Sequence, residues 1–529
     1  MLVLWSALLT ALVLGPALGT FTGGYVLSYD MVFVPDQPLL AATAGFGTSA
    51  PRAVPQDAVV AVLDDLVPGH LVQGLVLTGT LVAAGIGAGR LVPTSRTWVR
   101  LAAATLAIWN PFVAERLVLG HWALLLAYAL LPWLLRYVRA TVVYSPQLLG
   151  RNALRCLLLV AACSLTPTGG MLALAVVAVA LARRDVAARA RAVLLGGTLA
   201  LQLPWVVAGV VHAVRYGGTS DPAGVAAFAA RSDTRLGLPG SLLTLGGVWN
   251  ADVVPAGRGT LYAAVVAVVG IGVGLAGVRG LRRRDPSLLR DLAVLAAVGL
   301  VLALLGVLPP TRAALEWATG AVPGAGLLRD GQKWLALAAP FVCTAWALGL
   351  EQLARRFAVR PVVAALAALG LLLPLFALPG LAWGAHDRLR PVRYPQDWAR
   401  VRSALAASGR PGDVVVLPWA AFRQFAWNGG RTALDPAPRW LPRTTLVADD
   451  LPVGQQVVRG EDPRAQRISS LLAGDRPLTE QLAADGVGWV LLEHGTPGPA
   501  VPPAHLRGLE PVVDGPDLTL LRVPPSPDR

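Results

Sequence analysis

The chain has 529 residues, 55% of them hydrophobic and only 14% charged, with a formal net charge of +14. A soluble domain carries about 25% charged residues, so this sequence lacks the polar surface to cover itself in water. The positive excess sits mostly in short loops between apolar blocks, where it reports membrane orientation and excludes a nucleic-acid partner.

The apolar blocks run roughly over 2–20, 69–89, 97–114, 120–138, 152–165, 168–183, 192–212, 259–279, 289–308, 333–350 and 361–383. A rise of about 1.5 Å per residue makes blocks of about 20 residues match the hydrocarbon core. About eleven membrane helices are therefore predicted. The first block starts at Leu2 without a basic stretch before it and is read as a retained helix. The fifth and sixth are short, joined across Thr166-Pro167-Thr168-Gly169-Gly170, and read equally well as a re-entrant pair.

Arginines fill every second loop. They are Arg90, Arg96 and Arg100; then Arg136, Arg139, Arg151 and Arg155; then Arg183, Arg184, Arg189 and Arg191. Further on come Arg279, Arg282, Arg283, Arg284 and Arg290, then Arg355, Arg356 and Arg360. The alternation places the N-terminus in the cytoplasm. It puts residues 21–68, 213–258, 309–332 and everything after about 384 outside the plasma membrane. The cytoplasmic loops are too short for a nucleotide-binding domain, and no G-x-x-x-x-G-K-[ST] motif occurs. Cys156, Cys163 and Cys343 lie in apolar blocks without metal-ligand spacing.

The predicted organisation is a mainly α membrane helix bundle over 1–383, followed by an extracytoplasmic α/β domain over 384–529. In that domain Asp413–Leu417 and Trp489–Glu493 read as strands, and Leu509–Val523 as strand, turn, strand. Residues 396–408 and 476–485 have helical spacing, while the Pro-rich stretches 495–504 and 524–529 read as irregular.

The residues suited to chemistry gather in the loops assigned to the outer face. Asp30 follows the first block by about ten residues. A carboxylate at that depth suits a general base toward a hydroxyl, or a ligand of a divalent cation such as Mg or Mn at a phosphate. Asp36 is the second candidate. Glu115, Arg116 and His121 lie between the third and fourth blocks, where charges need a partner or a wet cavity. Glu115 offers a second carboxylate, Arg116 a phosphate ligand and His121 a substrate contact. Arg329 and Lys333 precede the tenth block as a second anion site. Trp249, in the loop 213–258, and Trp427, in the terminal domain, are candidates for substrate contact.

Three stretches carry a resemblance: Asn110–Arg116, Gly120–Leu126 and Leu328–Trp334. They are similar to actinobacterial arabinofuranosyltransferase-like membrane proteins. The layout, an acidic residue in the first outer loop, many spans and an extracytoplasmic C-terminal domain, resembles the GT-C superfamily of glycosyltransferases. That resemblance implies a sugar transferred from a polyprenyl-phosphate donor to a cell-envelope acceptor at the outer face. It also maps the family's catalytic acid to Asp30. One departure is visible: Asp30 stands alone between Tyr29 and Met31, where the superfamily commonly has paired acidic residues. The rival expectation is a lipid or polysaccharide transporter, or a non-catalytic membrane assembly protein.

Overall fold

A computed structural model describes residues 1–525 apart from 144, 145, 184, 185, 358, 455, 475 and 476. Arg184, the first residue of the stretch 476–485 and the end of the Pro-rich tail, 526–529, lie outside the described residues.

The helices that place the site are α1 (Leu2–Leu14), α2 (Gly69–Leu91), α3 (Thr97–Ile108), α4 (Pro111–Val118), α5 (Trp122–Val143), α6 (Leu261–Arg284), α7 (Pro286–Leu304), α8 (Ala339–Arg355) and α9 (Arg360–Ala377). Among the described residues, six helices are long and apolar enough to cross a membrane. They are Leu2–Thr22, which continues α1, then α2, Trp122–Thr141 within α5, α6, α7 and α9. A helix pair bent by 46°, Ala188–Ala200 with Leu203–Tyr216, makes a seventh if it is one span.

The expected count of about eleven is not confirmed among the described residues, and the reason is local. The block 97–114 breaks at Asn110, whose side chain accepts from Val113 N at 3.1 Å and starts α4, with Pro111 at its first position. The blocks 152–165 and 168–183 part at Pro167, where Thr166 caps the second helix through its bond from Gly169 N. The block 333–350 opens as a 3-10 turn, Gln332–Leu337, before α8 begins at Ala339.

Close backbone approach joins α6 to α8. A Cβ at Gly277 would lie 1.8 Å from Ala345 O, and one at Gly349 would lie 1.9 Å from Val273 O. Small residues are what let two membrane helices pack at this separation.

The C-terminal region is built on a five-stranded sheet: β1 (Asp413–Leu417), β2 (Thr445–Leu446), β3 (Val487–Glu493), β4 (Glu510–Asp514) and β5 (Leu518–Arg522), in the order β2-β1-β3-β5-β4. β1 runs parallel to β2 and β3, while β5 is antiparallel to both β3 and β4. The strands alternate. Val414, Val416, Trp489, Leu491 and Leu520 join the core continuous with the helices, whereas Val415, Leu417, Val490 and Leu521 build a second core on the other face. Arg423 is fully buried between Asp435 and Glu493.

This region is fastened to the first loop. Tyr25 N donates to Val392 O at 2.8 Å and Tyr394 Oη to Phe33 O at 2.8 Å. Tyr29 N donates to Thr432 O at 2.7 Å, and Leu434 N returns a bond to Tyr29 O at 2.8 Å. The turn that carries Asp30 is thus held from the side of the sheet domain.

Candidate functional site

Asp30 sits on a tight turn. Ser28 N and Met31 N exchange bonds with each other's carbonyls, and Ser28 Oγ donates to Val118 O at 2.6 Å. Asp30 N donates to Leu119 O at 3.1 Å. The turn lies directly on the α4–α5 corner, where Gly120 has φ +77. A Cβ there would lie 2.2 Å from Met31 N and 2.4 Å from Ser28 O, so only glycine fits. Gly120→Ala should therefore displace the Asp30 turn. We expect a loss of about 1–3 kcal/mol in denaturant unfolding, together with a fall in turnover; unchanged turnover would remove this corner from the account of the site.

Behind Asp30 runs a chain of polar contacts that crosses three segments distant in sequence. His121 Nε2 lies 3.0 Å from Asp30 Oδ2, and Arg116 Nη1 lies 2.9 Å from His121 Nδ1. The same guanidinium clamps Asp330 with bonds of 2.7 and 2.9 Å. Its remaining donors, on Nε and Nη2, go to Gln332 Oε1. All five N–H groups of Arg116 are thereby used. A guanidinium cannot accept, so His121 Nδ1 is the acceptor and Nε2 carries the proton toward Asp30. Asp30 Oδ1 has no protein partner among the described residues, and the side chain is about half exposed.

Arg116, Gln332 and Glu115 are completely buried. Burial alone would push the Asp330 carboxyl up, but the Arg116 charge and bonds, helped by Lys333, hold it down at about 2. Asp330 is thus ionised and balances the buried cation. Glu115 goes the other way. α4 is not one of the spanning helices; burial first, and then the Asp233 charge, raise its carboxyl well above the usual range against the pull of Arg258 and Arg116. Gln332 Nε2 donates to Glu115 Oε2 at 2.9 Å. Asp233 itself is held by Arg258, through bonds of 2.9 and 3.1 Å. An acid that keeps its proton behind Arg116 and Gln332 is placed to fill the network rather than to take a proton from a substrate.

The other predicted residues separate. Lys333 Nζ makes no hydrogen bond or ion pair among the described residues; it lies 5.6 Å from the Trp334 ring centre. Arg329 instead faces the sheet domain, 3.6 Å from Glu461, with its guanidinium over Phe228. Asp36 is ion-paired with Arg402 and shares an acidic group with Asp64 and Asp65. Trp249 packs edge-on to Phe228 and joins Tyr29, Val118 and Leu119 in one apolar cluster, which puts it beside the Asp30 turn. Trp427 belongs to the stack with Phe425 and Tyr394, and so to the docking of the domain on the first loop.

Ala385, in the same cluster as Trp249, lies on a left-handed turn, Trp383–Asp387, with φ of 51 to 69. Such a run costs energy in L-residues and persists only where its surroundings over-determine it.

Sequence reasoning did not find Asp330 as the partner of Arg116, nor Gln332 or Asp233. Their only signal is proximity in space.

No family model and no curated protein sequence matches the chain. Its structure is similar to that of arabinofuranosyltransferase AftD from Mycobacteria, with a TM-score of 0.59 at 19% identity over 98% of this chain and 40% of that one. A mutant form of the same protein gives 0.59 at 18% identity, over 98% and 41%. The oligosaccharyltransferase AglB from Archaeoglobus fulgidus overlaps 93% of this chain and 69% of that one, at 10% identity and a TM-score of 0.44. The likeness to AftD shows a shared fold over nearly the whole of this chain. The chain spans about 40% of the length of AftD.

Proposed function

We propose that the chain is a membrane glycosyltransferase that takes its sugar from a polyprenyl-phosphate donor and gives it to a cell-envelope acceptor at the outer face. The observation that carries this reading is the state of Asp30. One carboxylate oxygen is fixed by His121, and the other is open. A base needs that arrangement: an orienting partner on one side and a free lone pair on the other.

In the reaction, Asp30 Oδ1 takes the proton of the acceptor hydroxyl as its oxygen attacks the anomeric carbon. The bond from that carbon to the lipid phosphate breaks, and the phosphate oxygens take up the electron pair. A fixed cation is most effective where that charge develops. Lys333 has no anionic partner within ion-pair distance among the described residues and is assigned this role. Arg116 has no donor left for a phosphate; it orients His121. Trp249 supplies an apolar wall beside the Asp30 turn. A resident divalent cation fits poorly beside Asp30, because the described residues offer it a single free carboxylate oxygen there, so no step runs through one.

The test uses the purified chain in nanodiscs, a panel of polyprenyl-phosphate sugars and envelope glycan acceptors, with products read by mass spectrometry. The acceptor should gain one sugar while free polyprenyl phosphate appears. Turnover with sugar nucleotides, and none with lipid-linked donors, would overturn the donor assignment.

A further inference from the structure

We propose that a recess between α6 and α8, at the end of the bundle away from Asp30, binds the headgroup of an anionic phospholipid. The recess has a volume of about 260 Å³ and is lined by Arg279 and Arg283 from α6, and by Gln352, Arg355 and Arg356 at the end of α8. The arginine-rich loops assign this end to the cytoplasm.

Charge is the first argument. Arg355 pairs with Glu351 at 3.1 Å, and Glu351 also holds Arg284 at 2.7 Å. Arg279, Arg283 and Arg356 have no acidic partner among the described residues. Three unpaired guanidiniums around one recess repel each other at low dielectric unless an anion neutralises them. Basic pockets between helices on the cytoplasmic side are the form that recognition of phospholipid headgroups takes.

The second argument distinguishes a lipid from a free anion. Arg279 and Arg283 continue a face of α6 that carries Val265, Val268, Val269 and Gly272 at spacings of three and four residues. These residues are exposed, and nothing lies within 4 Å of a Cβ at Gly272. From Val265 to Arg279 the helix rises about 21 Å, more than half of a hydrocarbon core of about 30 Å. An acyl chain lying along this stripe brings its phosphate to the arginines. The recess exists because Gly277 and Gly349 draw the two helices together just above it, while the long side chains of Gln352 and the arginines occupy the level below.

The test measures lipid retention by native mass spectrometry on the full chain in detergent. The probes are dioleoyl phosphatidylglycerol, dioleoyl phosphatidylcholine and inorganic phosphate. Wild type should retain the glycerol lipid at least tenfold more strongly than the choline lipid. The triple variant Arg279→Gln, Arg283→Gln, Arg356→Gln should lose that preference, and Arg282→Gln, outside the recess, should keep it. Should the triple variant not fold, Arg279→Gln alone should weaken retention severalfold. Equal retention of the two lipids overturns the proposal, as does a preference that survives the arginine substitutions. Displacement of the glycerol lipid by millimolar inorganic phosphate would make this a site for free phosphate and overturn the lipid assignment. Neither readout depends on the chemistry at Asp30.

Discussion

Asp30→Asn should reduce sugar transfer by about 10²–10⁴-fold, the range supplied by a positioned general base. The substitution keeps the shape of the side chain. Asparagine Oδ1 still accepts from His121 Nε2, which then leaves the Nδ2 amide where the open carboxylate oxygen stood. An amide there donates and cannot take a proton, so the acceptor hydroxyl loses its base while the turn stays in place. Stability should stay within about 0.5 kcal/mol of wild type, as for an exposed side chain away from the core, because the turn is held by backbone bonds to Leu119 and Thr432 and by the Ser28 hydroxyl on Val118 O. Transfer measured at saturating donor, beside a denaturant midpoint, separates the two effects. A variant that keeps more than a tenth of wild-type turnover would remove Asp30 from the chemistry.

What the sequence made legible is what short-range physics encodes. Spans such as α2, α6, α7 and α9 are read from apolar length alone. The small sheet region announced itself at Asp413–Leu417 and Trp489–Glu493, because runs of Val, Leu and Trp flanked by turns have few other solutions. The span count of about eleven is not confirmed, and at one block a single polar residue outweighs a window average: Asn110 bonds to Val113 N, to Leu106 O and to Tyr128 Oη, and so turns a long block into α3 and α4.

The site divided in the same way. Asp30 is visible as a lone acid in the first outer loop, and Lys333 as a cation at the start of an apolar block. The pairing of Arg116 with Asp330 joins residues 214 apart, and that of Arg329 with Glu461 joins the helical and sheet regions. No periodicity writes either pair into the chain. From sequence, Arg116 reads as a phosphate ligand; in the structure Asp330 and Gln332 take up its donors, which leaves Lys333 as the cation proposed for the phosphate. Trp427 shows the same ambiguity, since a ring that packs on Tyr394 and one that stacks on a sugar look alike in sequence.

The second large effect is expected at Arg116, and it falls on stability before activity. Arg116→Met fills the volume but strands the groups that the guanidinium satisfied. Asp330 becomes a poorly exposed carboxylate without its counter-ion, Gln332 Oε1 loses two bonds and His121 Nδ1 loses its donor. Breaking one partner of a buried pair costs about 3–5 kcal/mol, because the charge left behind is uncompensated. Arg116→Lys keeps the charge, yet one ammonium cannot serve three acceptors set out for a planar fork, so it should recover only part of the loss. A pH arm identifies the pair. Asp330 is held at about 2 in the folded chain, below an unfolded value of about 3.9. Its contribution is therefore fully present above pH 4 and fades as pH falls through 2. In Arg116→Met that acid-side loss should shrink, since the depression goes with the guanidinium. The imidazole of His121, no longer held by its Nδ1, is free to turn its Nε2–H away from Asp30, so transfer should fall further than the folded fraction does. If Arg116→Met unfolds within 1 kcal/mol of wild type and retains full transfer, the polar chain behind Asp30 neither holds the fold nor positions the base.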